Sequence, residues 1–164
     1  MSTDTVNVKI FLRTIIRPAL LSINKHSTAA EQLMLGTAIQ ESDLRNLKQI
    51  GGGPGRGYFQ MEKKTHDDIW KTYLTHKPDL RAKLLVLGKI SHGLPDSDLM
   101  LTNHLYAAGM ARTRYARLTA PLPPTGHIRE MAAYWSLHYN TKDLQENEDQ
   151  FILKWKLYDA GSAF

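Results

Sequence analysis

Between residues 28 and 44 apolar positions recur with the period of a helix. Ala30, Leu33, Met34, Thr37, Ala38 and Leu44 fall on one side, and Glu41 stands among them where the pattern calls for an apolar side chain. Leu35 and Ile39 lie on the opposite side, so the segment predicts a helix central to the fold rather than one laid on its surface. Thr28 and Glu31 have the spacing of a capping box, with hydroxyl and carboxyl serving the free amides of the first turn. An earlier helix is expected over about residues 6–24, its apolar run broken by Lys9, Arg13 and Arg17. The run Gln-Ile-Gly-Gly-Gly-Pro-Gly-Arg-Gly over 49–57 cannot sustain a helix and reads as a loop.

Downstream, Tyr58-Phe59-Gln60-Met61 suggests a short extended piece or turn. Helices are expected over about 65–74, from Pro78 to about 90–93, and from a cap at 95–98 to Arg117. After the stiff connector 121–126, helical pattern resumes over 127–138 with Met131, Ala132, Trp135 and Leu137. It closes over 149–158 with Phe151, Ile152, Trp155 and Leu157. The sum is a mainly α chain, compact α+β or all-α, with six or seven helices and at most one small hairpin near residues 50–61. At 164 residues it fits one domain over 1–164, long enough to bury a sizeable core.

Composition narrows the function classes. With 42% hydrophobic and 23% charged residues the chain is neither disordered nor a membrane protein, and no stretch is long and apolar enough to span a bilayer. The start Met1-Ser2-Thr3-Asp4 lacks the features of a secretory signal. Without cysteine there is no disulfide or thiolate metal site, and the seven histidines include no His-Glu-x-x-His, so no metal site is expected. A net charge of +5 favours polyanions in general. The cluster Arg112, Arg114 and Arg117 would fan over more than one helix face, which reads as solvated surface rather than a phosphate-binding strip. The glycine spacing at Gly53, Gly55 and Gly57 lacks the Gly-Lys-Ser or Gly-Lys-Thr ending of a phosphate loop.

Candidate chemistry begins at Glu41. A carboxyl in an apolar wall is penalised in its charged form and holds its proton towards neutral pH, as a general acid must. The bland alternative has Glu41 ending its helix in solvent or bonding a neighbouring Arg. The residues after it weigh in. Glu41-Ser42 at a helix end, a glycine-rich loop, then Gly57-Tyr58-Phe59-Gln60 resembles the first two motifs of lytic transglycosylases and goose-type lysozymes, which cut peptidoglycan glycan strands. The stretches 35–42, Gly51-Gly52-Gly53-Pro54, Phe59-Gln60-Met61-Glu62 and 65–70 are also similar to small tailed-phage proteins of lysozyme-like type. The resemblance rests on residues 28–61.

That resemblance implies a lysozyme-like fold in which Glu41 is the catalytic acid and base, Ser42 supports it, and Gly57, Tyr58 and Gln60 belong to the sugar cleft. A third family motif, Ala-Tyr-Asn-Ala-Gly, is matched in part by Leu105-Tyr106-Ala107-Ala108-Gly109, which makes Tyr106 the favoured tyrosine; Tyr139-Asn140-Thr141 is the poorer match. It further implies peptidoglycan as partner, cleavage of the β-1,4 bond between N-acetylmuramic acid and N-acetylglucosamine, no cofactor, and residence in a phage virion, or in the host cytoplasm before assembly or lysis. Asp43, Glu62, Asp67 and Asp68 are carboxylates near enough in sequence to be a second group, but each reads more simply as a surface or capping charge. Two other classes stay open: a virion structural protein that keeps the fold and binds other virion proteins, and, ranked last, a basic nucleic-acid-binding module.

Overall fold

The structure, a computed structural model, describes residues 7–46, 53–140 and 144–164. These residues are mostly helical, with one small antiparallel sheet among them. Helix α1 (Val8–Phe11) runs through a widened turn over Leu12–Ile16 into α2 (Arg17–Ser22). Pro18 accounts for that turn: it has no amide to donate, and its ring crowds the carbonyl one turn back. Asn7 caps the start by accepting from the Lys9 and Ile10 amides.

Helix α3 (Thr28–Ser42) is the axis of the molecule. Every residue from Ala30 to Ile39 is buried, as two apolar faces on one helix require. The expected capping box does not form. Ser27 is the cap, its hydroxyl accepting from the Ala30 amide at 3.0 Å, and Thr28 is the first helical residue. Glu31, 3% exposed, is drawn away by stronger partners. It accepts from Arg17 Nε at 3.0 and 3.1 Å and from Nη2 at 2.9 Å, and it lies 2.8 Å from His26 Nε2. A forked guanidinium offers a carboxylate more than one backbone amide does.

The hairpin expected near the glycine loop is present as β1 (Gly55–Arg56) against β2 (Met61–Glu62), paired Gly55 to Glu62 and Arg56 to Met61. Positions 49–52 of the expected loop lie outside the described residues. Next comes α4 (Lys63–Asp68), continued by a widened turn over Ile69–Tyr73 and a tight turn over Leu74–His76. Helix α5 (Pro78–Leu87) follows, with proline in its first turn.

The helix expected from 95–98 to Arg117 is in fact two, α6 (Leu99–Thr102) and α7 (His104–Ala116). Asn103 breaks it. Its side-chain nitrogen donates to Leu87 O at 3.0 Å, and its oxygen caps the Tyr106 amide at 2.9 Å. Helices α8 (Ile128–His138) and α9 (Leu144–Leu157) close the chain and pack on each other and on α3. Leu137 and Leu157, counted with the apolar pattern of these helices, point outward instead.

Around α3 the buried side chains form one cluster that reaches from Val8 to Ala160. Gly36 marks where α9 comes closest. Glycine in a helix interior costs about 1 kcal/mol relative to alanine, and a methyl at this position would overlap the Phe151 ring. Phe151 leans in turn on Trp135 of α8, ring centroids 5.7 Å apart. Gly36→Ala is therefore expected to destabilise the protein by about 1–3 kcal/mol despite the better helix propensity of alanine, as read by denaturant unfolding; an unchanged or raised midpoint would contradict this packing.

Candidate functional site

Glu41 occupies the last turn of α3 and is half-buried. Its Oε1 accepts from the indole Nε1 of Trp135 at 3.1 Å, and Trp135 is only 2% exposed. Thr37, one turn earlier, gives its proton to Leu33 O at 2.7 Å, so the Tyr115 hydroxyl, 2.8 Å away, donates to Thr37. Tyr115 and Tyr139 are buried with ring centroids 5.3 Å apart. Burial pushes both phenols up, and the negative charge of Glu41 pushes them further, so these are the tyrosines that share its field. They remain neutral donors at any physiological pH.

The end of α3 is pinned on both sides. Asp43 adopts the left-handed conformation, φ 51°, that stops the helix. Its carboxylate meets Lys154 Nζ at 3.1 Å and accepts from the Tyr158 hydroxyl at 3.1 Å, which fastens the terminus to α9. Ser42, buried, has one proton to give; Tyr58 O at 2.7 Å is nearer than Ala38 O at 3.0 Å. Tyr139, which ends α8, donates to Phe59 O at 2.7 Å. The hydroxyls of Ser42 and Tyr139 thus hold two carbonyls of the turn 57–60.

Within that turn the residues singled out from sequence serve differently. Gly57 has φ 75°, and a Cβ there would stand 2.5 Å from Met100 O, so only glycine fits between the hairpin and α6. Tyr58 is half-buried, its ring edge-on to Phe11 at 5.0 Å and to His104 at 5.1 Å. Gln60, φ 48°, folds its amide back to donate to Gly57 O at 2.9 Å. Ser42, next to Glu41 in the chain, is thereby tied to the turn that carries Tyr58 and Gln60, while the Tyr58 ring packs on Phe11 and His104 and the Gln60 amide folds back on its own turn.

Tyr106 is held elsewhere. Trp70 Nε1 donates to its oxygen at 2.9 Å, leaving the phenol proton for His66 Nε2 at 2.7 Å. His66 then donates from Nδ1 to Asp67 Oδ1 at 3.0 Å. This chain requires a neutral imidazole, and burial holds the His66 pKa below the ordinary histidine value against the pull of Asp67. The unfolded chain binds that proton more readily than the folded one, so stability should be full above about pH 6.5 and fall as the pH drops through the lower folded value. Denaturant midpoints measured between pH 7.5 and 5 are expected to decline, and the decline should shrink in His66→Gln; equal slopes would remove His66 from the acid response.

The arginines expected as solvated surface are in fact half-buried and engaged. Arg112 Nε donates to Lys25 O at 3.0 Å. Arg114 donates to Tyr139 O at 2.7 Å and stacks 4.1 Å over the Tyr139 ring, and Arg117 pairs with Asp68 at 3.1 Å. Asp67 also pairs with Lys63, so Asp43, Asp67 and Asp68 each answer a cation. Among the described residues no group of three His, Asp or Glu side chains could hold a metal ion, and no helix is long and apolar enough to cross a membrane.

Trp135 and Tyr115 were not legible as site residues. Trp135 reads as one member of an apolar helix face and Tyr115 lies inside the basic cluster 112–117, and only the packing reveals that a buried indole has found a carboxylate. Against known protein families, curated proteins and solved structures, the chain has no match.

Proposed function

We propose that the chain is a lysozyme-like, peptidoglycan-cleaving enzyme of lytic-transglycosylase type, with Glu41 as general acid and base. The observation that carries this reading is the setting of Glu41. The carboxyl ends a buried helix and takes an indole N–H from Trp135, and Ser42 beside it ties it to the turn that bears Tyr58 and Gln60. A glycosidic oxygen leaves poorly unless it is protonated as its bond breaks, and one positioned carboxyl can supply that proton.

In the proposed reaction Glu41 protonates the bridging oxygen of the β-1,4 bond as C1 of N-acetylmuramic acid separates from it. The 6-hydroxyl of the same sugar bonds to C1 and returns its proton to Glu41. Atoms balance without water, and an anhydro sugar results. Asp43, Asp67 and Asp68 each answer a cation and Glu62 is exposed in β2, so no second carboxylate is assigned a role. The substrate is the glycan strand, and action from the virion is part of the same proposal.

A virion structural role with little or no cleavage is favoured by a different observation: α8 and α9 turn Leu137, Leu153 and Leu157 outward, each more than half exposed. The two readings part on activity. Purified protein is expected to clear chloroform-treated Gram-negative cells, and Glu41→Gln to lose about 10²–10⁴-fold of that rate while unfolding at the same temperature. Released fragments should be one water lighter than hydrolysis products by mass spectrometry. Equal clearing by wild type and variant would remove Glu41 from the chemistry.

A further inference from the structure

An indole nitrogen can only donate. Whatever the ionisation state of Glu41, the oxygen facing Trp135 Nε1 at 3.1 Å must accept. We propose that Trp135 is a positioning residue: its indole N–H claims Oε1 of Glu41 in both ionisation states, holds the side chain in place and favours its charged form, and so sets how readily Glu41 gives up its proton. This deepens the proposed function and rests on it for its catalytic consequence.

The indole is built to hold that position. Phe151 lies against its ring, and Phe151 reaches α3 only because Gly36 has no side chain. Behind the indole the Trp135 carbonyl accepts from the Tyr139 amide at 2.8 Å and the Asn140 amide at 3.0 Å, which closes the end of α8. A Trp that is 2% exposed has little room to rotate.

Among the described residues, each neighbouring helix brings charged or titratable groups towards the pair. Helix α7 brings Arg114 and Tyr115, α8 brings Tyr139, and α9 brings Lys154, which is paired with Asp43. Both phenols stay protonated through the range in which a carboxyl titrates. Of the two carboxyls at this helix end, only Glu41 touches the indole. A donor bonded to a carboxylate favours the anion, so losing it moves the titration upward.

The test reads the pair directly in the whole protein. The Trp135 indole 1H–15N resonance, followed from pH 3 to 9, is expected to shift with a single midpoint equal to that of the Glu41 side-chain 13C signal. It should lose that transition in Glu41→Gln. In Trp135→Phe the Glu41 midpoint should rise by about half a unit or more, while kcat for cell-wall cleavage falls about tenfold at unchanged KM. Site-specific benzothienylalanine at 135, which keeps the shape of the indole and lacks the N–H, should do the same if Trp135→Phe folds poorly. An indole resonance blind to Glu41, or a Glu41 midpoint unmoved in a folded variant, overturns the inference. If Glu41→Gln still cleaves cell walls while the indole follows Glu41, the pairing of indole and carboxyl stands and the enzymatic reading alone fails.

Discussion

A buried indole has to find an acceptor for its N–H, and in this fold Trp135 finds the carboxylate of Glu41. Most of the molecule around that bond can be understood as what it takes to hold two such groups in one place. Helix α3 is buried nearly all round and carries Glu41 in its last turn, and both of its faces bear apolar residues, as that burial requires. Gly36 gives up helix propensity so that Phe151 can seat on α3 and back the indole. The buried Glu31 with Arg17 and His26 fixes the opposite end of the same helix to α2. Such a pair adds little net stability, since desolvation offsets attraction, but losing one partner leaves an unanswered buried charge.

Hydroxyls supply the second layer. Ser42 and Tyr139 donate to the Tyr58 and Phe59 carbonyls, and Tyr115 donates to Thr37 one turn from Glu41. The Tyr115 and Tyr139 bonds satisfy buried hydroxyls, and a buried polar group left without a partner costs about 1–3 kcal/mol. Together they join α3, α7, α8 and the hairpin turn at one place. Arg114 serves the same junction by covering the Tyr139 ring and its carbonyl, which spends the basic cluster on structure.

The helical plan was legible because apolar period and turn chemistry are local. The buried α3, the small hairpin after the glycines, and α5 beginning at Pro78 all follow from neighbouring residues. What the sequence could not convey was choice between partners. Glu31 had a backbone amide within reach by spacing, yet Arg17, fourteen residues away, holds it. Asn103 looks like any polar residue in a helix until Leu87 O gives it a reason to break one. Tyr106 sits in a motif-like string and is tied to His66 and Trp70, whereas Tyr139, the poorer match by sequence, stands in the field of Glu41. Local pattern carries no information about which distant side chain will arrive opposite a given one.

The central claim is that Glu41 and the turn 57–60 form one side of a glycan site. It is tested most directly by a crystal structure of the Glu41→Gln protein with a bound peptidoglycan tetrasaccharide. The expected result is a bridging sugar oxygen within hydrogen-bond distance of the residue 41 side chain, with the saccharide running past Tyr58 and Gln60. A saccharide bound elsewhere with no contact to residue 41 would contradict it.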